Sequence, residues 1–144
     1  RMINRPPLGN YYIEAVFKTG DNCSGKDSYG LIIHSPNTDD NVDTGYIFMF
    51  SCDGNYRYYR MDQGSFVGIQ NWTKSVNLNG GPNTNNTIGI LSQGNLFTVF
   101  INGVAVADFT DNTYQTGLFG LVARAEDEKD FEISIDTVST WNNK

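Results

Sequence analysis

Gly45-Tyr-Ile-Phe-Met-Phe-Ser-Cys-Asp-Gly-Asn-Tyr-Arg-Tyr-Tyr-Arg60 is the stretch whose reading decides the fold. Two aromatic-rich runs flank Asp53-Gly54, a dipeptide that favours a hairpin turn. A two-residue loop would oppose Phe50 to Arg57 and Phe48 to Tyr59. A three-residue loop, Cys52-Asp53-Gly54 with Gly54 left-handed, opposes Phe50 to Tyr56 and Phe48 to Tyr58. Only the second gathers Tyr46, Phe48, Phe50, Tyr56 and Tyr58 on one face and leaves Ile47, Met49, Ser51, Arg57 and Tyr59 on the other. A slip of one residue reverses every side chain of a strand, so a buried face selects the register that clusters the aromatics. The three-residue turn is therefore expected.

Outward from this hairpin the chain keeps the same grammar. Tyr11–Lys18 alternates, with Ile13, Ala15 and Phe17 on one side. Ser28–His34 places Tyr29, Leu31 and Ile33 on one face and Gly30, Ile32 and His34 on the other. Gln63-Gly64 marks a turn before a short strand over Ser65–Gln70. Trp72-Thr73 opens an expected irregular stretch through Asn86, since Gly80-Gly81-Pro82 excludes regular pairing there. Thr87–Leu91 resumes a strand. Leu96–Ile101 and Val104–Phe109 form a hairpin about Asn102-Gly103. Gly117–Arg124 and Phe131–Thr140 close the chain around the acidic loop Glu126–Asp130. About ten strands without a helical segment predict an all-β fold, a two-sheet antiparallel sandwich filling one domain over residues 1–144.

Composition narrows the function classes. Aromatics make up 13% of the chain and charged residues only 18%, with 15 Gly, as a strand-and-turn protein requires. Net charge is −6, and the ten basic residues are scattered. That pattern argues against nucleic acid, whose backbone needs a cationic surface. No apolar run approaches the roughly 18 residues that span a bilayer, so membrane insertion is not expected. Cys23 and Cys52 each lie near a turn and belong to no metal or redox motif. They are read as one disulfide in preference to two free thiols, which implies an oxidising, extracellular or cell-surface location. Three sequons, at Asn22, Asn71 and Asn85, are compatible with secretion. Arg1-Met2 reads as the edge of a fragment cut from a larger, multidomain protein.

At this point a resemblance enters. Tyr46-x-Phe48-x-Phe50, Asp53-Gly54-x-Tyr56, Leu96-x-x-Val99-x-Ile101-Asn102-Gly103, Gly117-x-x-Gly120-Leu121 and Ile135-Asp136-x-Val138 together resemble the concanavalin A-like lectin/glucanase jelly roll. Within that fold the chain is most similar to laminin-G-like and 3-keto-disaccharide-hydrolase-type modules. The resemblance spans nearly the whole chain. It implies two curved sheets, the concave one carrying carbohydrate or protein ligands in many relatives.

Chemistry has little to build on. Glycosidases need two carboxylates set across the scissile bond. The glutamates here are Glu14, Glu126, Glu128 and Glu132, and none falls in the Glu-x-Asp-x-x-Glu strand of the glucanases. His34 is the only histidine, and no Gly-x-Ser-x-Gly elbow is present. No enzyme is expected. Asp39 and Asp43, in an Asp/Asn-rich loop, and Asp136 are weak candidates for calcium, with no other cofactor implied. A sugar site needs an aromatic platform and polar side chains that reach hydroxyls. His34, Met49, Arg57 and Tyr59 should share the outer hairpin face, with Trp72 just beyond and Arg124 ending a strand. These six residues are the candidate ligand-binding set. The expected function is a non-catalytic carbohydrate-binding, lectin-like module. A protein-interaction or spacer module, and a glycan-processing domain acting through Glu14 or Glu128, are the alternatives.

Overall fold

The computed structural model describes residues 10–36 and 43–142. It contains ten strands: β1 (Tyr11–Thr19), β2 (Ser28–Ser35), β3 (Gly45–Ser51), β4 (Asn55–Asp62), β5 (Ser65–Lys74), β6 (Asn85–Gln93), β7 (Leu96–Ile101), β8 (Val104–Thr110), β9 (Leu118–Arg124) and β10 (Ile133–Asn142). The first sheet runs β10-β1-β6-β7-β8 and the second β5-β4-β3-β2-β9. Their neighbours pair antiparallel throughout. No helix occurs among the described residues.

The central hairpin adopts the expected turn. Phe48 opposes Tyr58 and Phe50 opposes Tyr56. Gly54 holds φ +85°, a conformation that an L side chain resists. Its N–H donates to the Ser51 carbonyl at 3.0 Å, while the Asn55 N–H donates to Ser51 Oγ at 3.0 Å. Inward-facing rings from both sheets then fill the space between them. Tyr58 stacks on Phe109 at 4.6 Å between centroids, Phe109 on Phe97 at 5.0 Å, and Phe97 meets Tyr46 at 4.8 Å. Phe17 and Tyr29 close the other end at 4.9 Å. Such contacts favour offset and tilted geometry and add to the large apolar area each ring removes from water.

Cys23 and Cys52 are bridged, with Cα atoms 5.5 Å apart, so the β1–β2 loop is tied to the hairpin turn. In the chain-entropy account a loop of this length contributes about 3–4 kcal/mol.

Three expectations fail for reasons visible in the backbone. β5 does not stop at Gln70; two bulges against β4 carry it on to Lys74, and Trp72 lies within it. β6 begins at Asn85, because the Thr19 hydroxyl and amide tie down Gly81 and Thr84 next to it. His34 does not face outward. Its φ is +55° and the pairing of β2 with β9 shifts between Ile32 and Ser35. Alternation breaks there, and the imidazole turns into the core among Tyr11, Tyr46 and Phe97. Gly117 permits this, since a Cβ at that position would lie 2.5 Å from the His34 carbonyl carbon.

Two predictions follow from this packing. Phe48→Ala should lower unfolding free energy by about 4 kcal/mol in denaturant titration, the usual cost of emptying a ring-sized site. His34 supplies the second. Burial holds its pKa below the ordinary histidine value, only partly offset by the Tyr114 carbonyl at 2.7 Å from Nδ1. The unfolded chain takes up a proton as pH falls through about 6.5, and the folded chain does not. Stability should therefore decline from pH 7 towards pH 5, by at most about 1.4 kcal/mol per pH unit from this group. His34→Gln should flatten that slope in melts recorded across the range.

Candidate functional site

Because the three-residue turn sends the hairpin's aromatics inward, the alternate residues of the second sheet face away from the core. Two rows cross this outer face. One passes through Arg57, Met49, Gly30 and Val122, the next through Tyr59, Ile47, Ile32 and Gly120. Ile32, Ile47, Met49 and Leu118 are buried, with Tyr59, Met61, Trp72 and Val122 packed against them. This is a second apolar cluster, separate from the core between the sheets.

Arg57 stands over that cluster. Its guanidinium lies 4.8 Å from the Trp72 ring centroid, 5.0 Å from Tyr59 and 5.9 Å from Phe66. Rings attract a guanidinium through their faces, so the three aromatics hold it in place. Phe66 is 57% exposed and reaches Tyr59 at 4.8 Å. Burial pushes the Tyr59 phenol up, opposed by the positive charges of Arg57 and Arg124. Arg57 Nε is buried without a hydrogen-bond partner.

Lys26 approaches Trp72 from the turn end of the sheet, its Nζ 5.5 Å from the ring centroid, and forms an ion pair with Asp53. Burial works against the Asp53 charge. Hydrogen bonds from Asn55, Lys26 and Ser51 outweigh it and bring the carboxyl down to about 2. Arg124, at the end of β9, pairs with Glu126 at 2.5 Å.

One buried anion shapes this end of the molecule. Asp27 is fully buried. Its Oδ1 accepts the amides of Glu126 and Asp127 at 2.7 Å each, and Oδ2 accepts Ser24 N–H at 3.1 Å. The Glu128 amide is shared between both oxygens at 3.1 Å. Burial opposes the charge, but the amides of Asp127, Glu128, Ser24 and Glu126 overcome it and hold the carboxyl below its ordinary range.

Of the six candidate ligand residues, the structure brings Arg57, Tyr59 and Trp72 into one stack. Met49 is the buried floor beside Arg57, and Arg124 stands at the exposed rim. His34 is in the core and belongs to no outer surface. Sequence reasoning missed Lys26, Asp27 and Phe66. The cross-sheet partners of Lys26 and Asp27 are remote in the chain and carry no local signal. Phe66 was visible as a strand aromatic but had no assigned partner. Of the calcium candidates, Asp39 lies outside the described residues, Asp43 accepts the Thr44 hydroxyl at 3.0 Å, and Asp136 is exposed on β10. Among the described residues, no three His, Cys, Asp or Glu side chains gather closely enough to hold a metal ion.

Two five-stranded antiparallel sheets packed over an aromatic core define a concanavalin A-like jelly-roll sandwich of the lectin and glucanase class. More narrowly, the chain belongs to the 3-keto-alpha-glucoside-1,2-lyase-like domain family, whose sequence profile matches residues 2–134. Among solved structures it is similar to the carbohydrate-binding module CBM66 from Bacillus subtilis, with a TM-score of 0.74 at 18% identity over 94% of this chain and 76% of that one. A tetrameric galectin from the ball sponge Cinachyrella gives 0.72 at 13% identity, covering 98% of each chain. Sheep galectin-11 gives 0.61 at 19% identity, over 98% of this chain and 100% of that one. At such identities the likeness is one of fold. No curated protein matches the chain by sequence.

Asp27→Asn places an NH2 group where only acceptors are tolerated. It should cost about 3 kcal/mol in denaturant titration, by leaving buried amides unpaired. Faster amide hydrogen exchange at Glu126, Asp127 and Glu128 should accompany the loss.

Proposed function

We propose that the chain is a non-catalytic, extracellular glycan-binding module, and that the outer face of its second sheet holds the saccharide. The observation that carries this reading is the stack of Trp72, Arg57 and Tyr59. Sugar rings present C–H faces to aromatic platforms and hydroxyls to donors at the platform's edge. Here Trp72, Tyr59 and the exposed Phe66 supply platforms, and Arg57 and Lys26 supply donors. The fold shared with a carbohydrate-binding module and with galectins supports the same reading. The Cys23–Cys52 bridge supports an oxidising compartment.

The family description favours glycan processing as a second reading. Against it, the carboxylates bordering the outer face, Asp53 and Glu126, are each engaged by a cation. An acid–base pair needs one carboxyl with a raised pKa, whereas Asp53 is lowered to about 2.

A glycan array followed by calorimetry on the chain tests the proposal. Arg57→Ala and Trp72→Ala should each weaken the best saccharide about tenfold or more. Trp141→Ala, an exposed ring on the other sheet, should leave affinity unchanged. Chromogenic glycosides should not be turned over. Binding that ignores both outer-face substitutions would refute the site, and turnover lost in Glu128→Gln would favour the enzyme reading.

A further inference from the structure

We propose that the saccharide taken by this face is acidic, with its carboxylate received by Arg57. The proposal rests on the glycan-binding reading above and narrows it to a class of ligand. Arg57 is held by ring faces and by a hydrogen bond to the Tyr59 hydroxyl. Among the described residues it has no carboxylate partner, whereas Lys26 and Arg124 each have one and Arg60 has two. Its Nε is buried and lacks an acceptor. Stacking engages the faces of a guanidinium, and apart from the hydrogen bond to Tyr59 the N–H edge that includes Nε is left to match a planar carboxylate through two parallel hydrogen bonds. A buried N–H without an acceptor is rare in a native fold, and a ligand oxygen would cure it.

Charge distribution points the same way. The chain carries 16 acidic against ten basic residues. Yet the two rows of the sheet that run through Arg57 and Tyr59 contain no Asp or Glu. At the turn end Asp53 is paired with Lys26 and Glu126 with Arg124, while the buried Asp27 charge is taken up by main-chain amides. The guanidinium therefore sits uncompensated on an apolar floor of Met49 and Ile47, where lower local polarity strengthens its pull on an anion. Arg124 also acts on the Tyr59 hydroxyl, but its charge is shared with Glu126, which leaves Arg57 as the unpaired cation of this face. A neutral sugar would meet the stacking surface but leave this charge unanswered.

Calorimetry with the chain, using oligosaccharides of galacturonate, glucuronate and mannuronate beside their methyl esters, tests the assignment. The esters keep the ring and hydroxyls and remove only the charge. At least one acid should bind about tenfold or more tighter than its ester. The margin should shrink as salt is raised, since the rim is open to solvent. Arg57→Gln should abolish the preference, bringing acid binding down to the level of the ester measured on the same variant. Arg57→Lys should restore only part of it, because an ammonium lacks the fork. Melting curves matching the parent chain would show that both variants fold. Equal binding of acids and esters, or binding of neutral glycans only, overturns the acidic assignment and leaves the glycan site standing. A preference that survives Arg57→Gln overturns the role of Arg57. No binding of any saccharide overturns the underlying glycan reading as well.

Discussion

A strand can offer only every second side chain to a core, and the Cys52–Gly54 turn decides which ones the central hairpin offers. With three residues in the loop, Phe48 and Tyr58 stand on the same side. With two, Arg57 would have been driven into the aromatic interior and Tyr58 out of it. The cost of burying an unpaired guanidinium there is far larger than any gain from a tighter loop. Ser51 and Gly54 hold the turn chemically, one by accepting the Asn55 amide, the other by its positive φ. The core and the outer face thus depend on one choice made in three residues.

The outer face is organised differently from the core. Between the sheets, rings meet rings and polar groups are few; Asn86 donates to the Tyr29 hydroxyl at 2.8 Å, while the Tyr11 hydroxyl is buried without a partner. Outside, the buried residues Ile32, Ile47, Met49 and Leu118 make an apolar bed under a cationic group. Water cannot fully solvate Arg57 from below, and the rings beside it replace hydration with their quadrupoles. Such a surface is pre-formed, so a ligand would lose little freedom of the protein on docking.

Much of this was legible in the residues themselves. Alternation in Tyr11–Lys18, the Asn102-Gly103 turn and the aromatic hairpin all carry their structure locally, and the strands appear where those patterns place them. Arg57 and Tyr59 came from the same register argument. What escaped depends on contacts between segments far apart. His34 was assigned outward by counting in twos, but a left-handed residue and a register shift against β9 interrupt the count. Trp72 was taken as past the end of its strand. Bulges against β4 extend that strand, and bulges leave no period to detect. Asp27 carried no signal in the sequence, because three of its four amide donors lie about a hundred positions away.

That last arrangement separates shape from identity at the rim beside Arg124. Asp27 grips main-chain amides, which every residue but proline possesses. The path of residues 126–128 is therefore written at position 27 and hardly at all in the loop's own side chains. Asp127 is the partial exception, since it also accepts the Lys26 amide at 2.7 Å. Position 128 can exchange one side chain for another over a scaffold that does not move, and position 126 can do so at the loss of its ion pair with Arg124. A sandwich built this way can vary the lettering at the border of its outer face while the border keeps its contour.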